Sequence, residues 1–137
     1  MGRASSAVYS INYHIVWCSK YRKAILTEKV KEFLEDQLRT IAETKGYKIL
    51  ELRVMPDHIH LFIEANPFDS PMNIVKIFKG ITGLRMFKKF PELEKQLWRG
   101  VLWSPSYYIG TAGHVSAETI ERYIREQERH SSTGQVQ

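Results

Sequence analysis

Apolar and polar positions alternate with a period of two over Tyr9–Cys18, where Tyr13, Ile15 and Trp17 fall on one side and His14 and Val16 on the other. With its β-branched and aromatic content, that segment predicts a strand. From Thr27 the period lengthens. Val30, Phe33, Leu34, Leu38, Ile41 and Ala42 form the stripe of a helix running to Lys45, with Thr27 as N-cap and Gly46 closing it. Tyr47–Met55 returns to strand spacing, with Leu50, Leu52 and Val54 on one face. Pro56-Asp57 is a tight connection, and His58–Ala65 is a third strand hairpinned to the second. Ser70-Pro71 opens a second helix with proline at its first position and a core face of Ile74, Ile77, Phe78 and Ile81. Gly80 and Gly83 weaken that helix, which points to a close approach by another segment. Val101–Thr111 reads as a strand or bent strand around Ser104-Pro105-Ser106. Ser116 caps a last helix, Ala117 to about Arg129, with Glu118 in its first turn.

The order strand, helix, strand, strand, helix, strand, helix is that of a ferredoxin-like α+β fold with one added C-terminal helix. Its helices should cover one face of an antiparallel sheet, leaving the other face and the last helix for function. Residues 1–137 suit one domain, with 1–8 as a loose arm and 130–137 as a frayed tail.

Composition narrows the classes. Hydrophobic residues are 43% and charged residues 26%, ordinary for a globular chain. The single cysteine, Cys18, allows no internal disulfide, which suits a reducing compartment. No apolar run reaches the roughly 20 residues of a membrane span, and no apolar signal core opens the chain. The expectation is a cytoplasmic protein without a membrane partner. Net charge is +5, and its placement says more than its sum. Residues 71–100 hold seven basic side chains (Lys76, Lys79, Arg85, Lys88, Lys89, Lys95, Arg99) against two acidic ones, beside Phe78, Phe87, Phe90 and Trp98. Such a segment is either a solvated helix face or an electrostatic footprint for a phosphate backbone.

The sharpest chemical feature is His58-Ile59-His60 on the third strand. Alternation puts both imidazoles on one face, about 7 Å apart along the chain, while Ile59, Leu61 and Ile63 anchor the other face. Two imidazoles held that way can converge on one divalent ion. Alone the pattern also suits surface or hydrogen-bonded histidines, and two ligands leave a metal site incomplete. Tyr123 and Gln127 lie one turn apart on the last helix and share a face. Such a pair usually just packs. If that helix lies over the histidine strand, the Gln127 amide oxygen can be the third ligand. Two nitrogens and one oxygen with open positions suit Mg²⁺, or Mn²⁺, which accepts imidazole more readily. Tyr123 would then sit beside a metal-polarised phosphate. A phenol with an ordinary pKa near 10 needs such help to attack. Attack on a DNA phosphodiester leaves a 5′-phosphotyrosine and a free 3′-OH, and reversal with another 3′-OH joins strands without ATP.

With these residues in view, the chain resembles the single-tyrosine HUH transposases of small bacterial and archaeal insertion sequences. The resemblance runs from Tyr13-His14-Ile15-Val16-Trp17 and Lys20-Tyr21-Arg22 through Met55-Pro56-Asp57-His58-Ile59-His60-Leu61. It continues through Lys79-Gly80, then Leu102-Trp103-Ser104-Pro105-Ser106-Tyr107-Tyr108-Ile109-Gly110-Thr111, to Tyr123-Ile124-Arg125-Glu126-Gln127. It implies Tyr123 as nucleophile and His58, His60 and Gln127 as metal ligands. It implies a homodimer whose two active sites are shared between subunits. It also implies single-stranded DNA ends as substrate, recognised through a nearby hairpin. Thr82-Gly83 departs from the consecutive serines frequent in that family, so no contact is carried to those positions. Lys76, Lys79 and Arg85 are expected on phosphates, where they would set affinity more than sequence choice. The competing class is a non-catalytic basic ferredoxin-like module holding RNA or single-stranded DNA on sheet aromatics, which would need neither His58 nor Tyr123.

Overall fold

The computed structural model describes residues 10–97, 100–111, 118–119 and 121–126. Strand β1 (Ile11–Cys18) runs into a short 3₁₀ turn at Lys20–Arg22 and then into helix α1 (Glu28–Lys45). Strands β2 (Lys48–Met55) and β3 (His58–Ala65) form the hairpin. Helix α2 (Pro71–Lys89), the short helix α3 (Glu92–Gln96) and strand β4 (Tyr108–Thr111) complete the order. The four strands make one antiparallel sheet in the order β2-β3-β1-β4, the expected ferredoxin-like α+β arrangement. Residues 118–119 and 121–126 are helical and follow β4. The expected cap at Ser116, the ends of that helix, Gln127, the arm 1–8 and the tail 130–137 lie outside the described residues.

Register explains why the core forms on one side. Tyr13, Ile15 and Trp17 of β1 sit opposite Ile63, Leu61 and Ile59 of β3, and all six are at most 5% exposed. Against them pack Leu34, Leu38, Ile41 and Ala42 of α1 and Ile74, Val75, Phe78 and Met86 of α2. Burying each large side chain contributes roughly 1.5–3 kcal/mol, so this layer dominates stability. The ends of the helices follow local chemistry. Gly46 takes φ 79°, a left-handed value that suits glycine, and its N–H reaches the Ala42 and Glu43 carbonyls. The Ser70 hydroxyl accepts from the Asn73 N–H at 3.1 Å. Pro91 follows the end of α2 at Lys89.

Three expectations change. The pairing of β2 with β3 shifts register between Ile49 and Glu51, so Leu50 is an extra residue and lies exposed. Ile49, Leu52 and Val54 face the core instead, because a bulge inverts the alternation on one side of it. In α2, Val75, Thr82 and Met86 are fully buried whereas Ile77 and Ile81 are only partly so. Of its glycines, Gly83 lies against the Trp103 ring, 3.8 Å from where a Cβ would stand, but Gly80 faces open space. The expected strand over 101–111 is reduced to β4. Upstream of it, Trp103 forms one isolated bridge to Ser19, and the Lys20 N–H meets the Leu102 carbonyl at 2.8 Å.

Candidate active site

The sheet face away from α1 and α2 takes the alternate residue from each strand. Across β1 and β3 those are His14 opposite Phe62, Val16 opposite His60, and Cys18 opposite His58. On the far side of β3, Arg53 and Met55 pair with His60 and His58, and on the far side of β1, Tyr108 pairs with Val16. His60, Val16 and Tyr108 therefore form one row over three strands, spanning about two strand spacings, or roughly 10 Å. Val16 and Cys18 are fully buried, and the three histidines are half-buried.

His58 and His60 share this face, as alternation predicts. The His58 Nδ1 lies 2.8 Å from the Asp57 Oδ1 and donates to it, so in the neutral ring the lone pair is on Nε2. The other oxygen of Asp57 accepts from the Arg22 Nε at 2.7 Å and Nη2 at 2.6 Å. Burial pushes the Asp57 carboxyl upward. The hydrogen bonds from His58 and Arg22 outweigh that and hold it below the ordinary carboxylate range, as an anion. Arg22 reaches this position from backbone in the left-handed region, with φ 53°, next to Tyr21 at φ 59°. Such values cost non-glycine residues about 1–3 kcal/mol each and persist only where the surroundings enforce them.

His60 meets a residue whose role sequence spacing did not reveal. The His14 Nδ1 stands 3.2 Å from the His60 Nε2, so one proton lies between the two rings. The His14 ring also stacks on Phe62, with centroids 4.0 Å apart. Burial lowers the pKa of both rings, and proximity to His14 lowers that of His60 further. Both are neutral at pH 7, the form that binds metal. His14 comes from β1, 46 residues away, and nothing local marks it as a partner of His60.

Tyr123 enters from the β4 side of the row. Its ring lies 6.5 Å from that of Tyr108, and its hydroxyl is 3.4 Å from the Ser106 hydroxyl. Burial raises the phenol's pKa well above its ordinary range, with the hydrogen bond from Ser106 offsetting part of the rise. Ser106 in turn belongs to a loop gripped by Lys79. The Lys79 Nζ donates to the carbonyls of Ser104 at 2.7 Å and Ser106 at 3.3 Å. Burial pulls its pKa down to about 8. Lys79, expected on a phosphate, thus holds the loop that meets Tyr123. Lys76 is exposed, and Arg85 is exposed with Nη1 on the Gln37 Oε1 at 2.7 Å. The Cys18 thiol is buried and pushed up to about 12, so it is no nucleophile at neutral pH.

The donor set fits a divalent cation in part. His58 has its tautomer fixed by a carboxylate, and His60 is neutral through burial. Among the described residues no three His, Cys, Asp or Glu side chains form a group able to hold a metal ion. Two imidazoles are a partial set, and Gln127, the third donor expected from the sequence, lies outside the described residues.

This geometry is matched by what the chain resembles. Residues 7–127 match the model of a protein family described as IS200-like transposases. The chain belongs to that family, the single-tyrosine transposases of IS200/IS605 type. It is 40% identical over 127 residues to the ISDra2 transposase TnpA of Deinococcus radiodurans, covering 93% of this chain and 91% of that protein. It is 29% identical over 127 residues to the transposase of insertion sequence element IS200 from Salmonella typhimurium, covering 93% and 83%. Among solved structures, a crystal structure from Deinococcus radiodurans described as a transposase superposes with a TM-score of 0.85 at 38% identity, covering 93% and 98% of the two chains. A REP-associated tyrosine transposase bound to a REP hairpin shares the fold, with a TM-score of 0.50 at 13% identity, covering 90% and 68%.

Proposed function

We propose that this chain cleaves and rejoins single-stranded DNA ends of an insertion sequence through a 5′-phosphotyrosine on Tyr123. One observation carries the reading. Two imidazoles, one fixed by a carboxylate and one neutral by burial, occupy the same sheet face as Tyr108, against whose ring Tyr123 docks.

In the cleavage step the Tyr123 Oη forms a bond to the phosphorus of a phosphodiester as the bond from phosphorus to the 3′ oxygen breaks. The phenolic proton is lost, and the departing 3′ oxygen takes one up as 3′-OH. Attack by a second 3′-OH on the phosphotyrosine reverses these changes and joins new strands. His58 and His60, with Gln127 as the further donor, would hold Mg²⁺ or Mn²⁺. When bound, the cation supplies charge neutralisation at the phosphate and favours phenolate character. Asp57, by accepting from the His58 Nδ1–H, leaves Nε2 as the atom that would meet a cation. Burial holds the Tyr123 phenol still further from ionisation in the protein alone. Ser106, held by the loop that Lys79 grips, gives the phenol a resting partner.

The proposed substrate is single-stranded DNA with a subterminal hairpin, and Lys76 and Arg85 on α2 are proposed phosphate contacts. Lys79 acts first through its loop, and any phosphate contact would have to compete with the two carbonyls. The working unit is proposed to be a homodimer with each site shared between subunits. The test uses labelled single-stranded DNA bearing such a hairpin, incubated with protein and Mg²⁺ and then denatured. The wild type should give a covalent adduct and, with two ends present, joined strands, and Tyr123→Phe should give neither. Binding without any adduct in the wild type would overturn the reading in favour of a binding module. Mixing Tyr123→Phe with His60→Ala subunits should restore cleavage in the heterodimer. No rescue in verified heterodimers would place the whole site within one subunit.

A further inference from the structure

The β1–α1 connection and the β2–β3 turn are already fastened by backbone. The Ser19 N–H meets the Asp57 carbonyl at 3.0 Å, and the Leu26 N–H meets the Pro56 carbonyl at 2.9 Å. The side chains of Arg22 and Asp57 add a further link across the same two loops. They are aligned with care. Asp57 divides its carboxylate, one oxygen to His58 and the other to Arg22. Arg22 uses Nε and Nη2 on Asp57, while its Nη1 lies 3.5 Å from the Ile124 carbonyl, the residue after Tyr123. It does this from a left-handed backbone that a non-glycine residue disfavours. One guanidinium thus touches both the group that orients a proposed metal ligand and the backbone beside the proposed nucleophile.

We propose that Arg22 and Asp57 are positioning residues that couple His58 to the tyrosine helix of the same chain: Asp57 fixes the His58 ring, and Arg22 holds both that carboxylate and the main chain at Ile124. The assignment rests on the transposition reading for the roles of His58 and Tyr123, but its own content is geometric. A carboxylate behind a metal-binding histidine sets the tautomer and the ring direction, and its loss typically weakens metal binding 10–100-fold. The planar fork of arginine can serve a carboxylate and a carbonyl at once, which the point charge of lysine cannot. The placement of His58 and of the segment around Tyr123 is consequently coupled through one side chain.

The test is made on the full chain without DNA. Imidazole ¹⁵N NMR of the wild type should show His58 with its proton on Nδ1. A proton on Nε2 instead would overturn the proposal without recourse to any variant. Asp57→Asn should weaken Mn²⁺ binding, read by electron paramagnetic resonance, by about 10–100-fold while the sheet stays folded. Arg22→Met should speed amide exchange at 121–126 and leave exchange in β3 unchanged, and Arg22→Lys should not rescue it. Wild-type Mn²⁺ affinity in folded Asp57→Asn, or unchanged exchange in folded Arg22→Met, would overturn the coupling. A wild type with the Nδ1–H tautomer and these responses, but no DNA adduct, would refute the transposition reading and leave the positioning role standing.

Discussion

The two faces of the sheet are built from the same strands and do opposite things. Leu61 and His60 are neighbours on β3, yet Leu61 is fully buried under α1 and α2, and His60 stands half-buried beside His14. Strand alternation separates them by one residue and one sheet thickness. The face under the helices contributes most of the apolar burial. The other face carries three imidazoles, a split carboxylate and a tyrosine pair, polar groups that fold no protein by themselves. Stability and chemistry can therefore be changed independently along one strand.

The first way to break that comparison is to truncate each neighbour. Leu61→Ala should cost about 2–5 kcal/mol of unfolding free energy by denaturant titration. His60→Ala should abolish DNA cleavage with the unfolding midpoint nearly unchanged. A His60→Ala protein as unstable as Leu61→Ala would mean that the histidine face also carries the fold. A smaller effect separates the faces by pH. The His14 and His60 rings titrate below the ordinary 6.5 when folded. The unfolded chain binds more protons than the folded chain just below 6.5, so stability should rise with pH through that window and fall on acidification. NMR titration should place both folded midpoints under 6.5, and a midpoint above it would reverse the sign. The smallest expected effect is on α2. Gly80 faces open space on a helix, so Gly80→Ala should stabilise by about 0.5–1 kcal/mol without altering cleavage.

How much of this was legible in the sequence follows the range of the interactions. The bounds of β3, the Ser70 cap and the Gly46 terminus rest on neighbours within four residues, and the structure reproduces them. The same local rule placed His58 and His60 on one face. The bulge at Leu50 depends on how β2 meets β3, so alternation alone assigned the wrong side. The partnership of His14 with His60, the bond from Arg22 to Asp57 and the capture of Lys79 by the Ser104 and Ser106 carbonyls join residues 25 to 46 positions apart. Lys79 looked like a phosphate ligand because it lies in a basic segment, and only the return of the 102–106 loop shows its other engagement. Helix α3, five residues long, is too short to show a period.

The account's central claim is that the Tyr123 phenol takes the phosphate while the paired imidazoles stand on the same sheet face. Its most direct measurement is peptide mapping, by mass spectrometry, of the covalent complex trapped with single-stranded DNA and Mg²⁺. The account predicts a single nucleotide-bearing peptide containing Tyr123, absent when His58 or His60 is alanine. A nucleotide found on Tyr108 or any other side chain, or on Tyr123 regardless of the histidines, would contradict it.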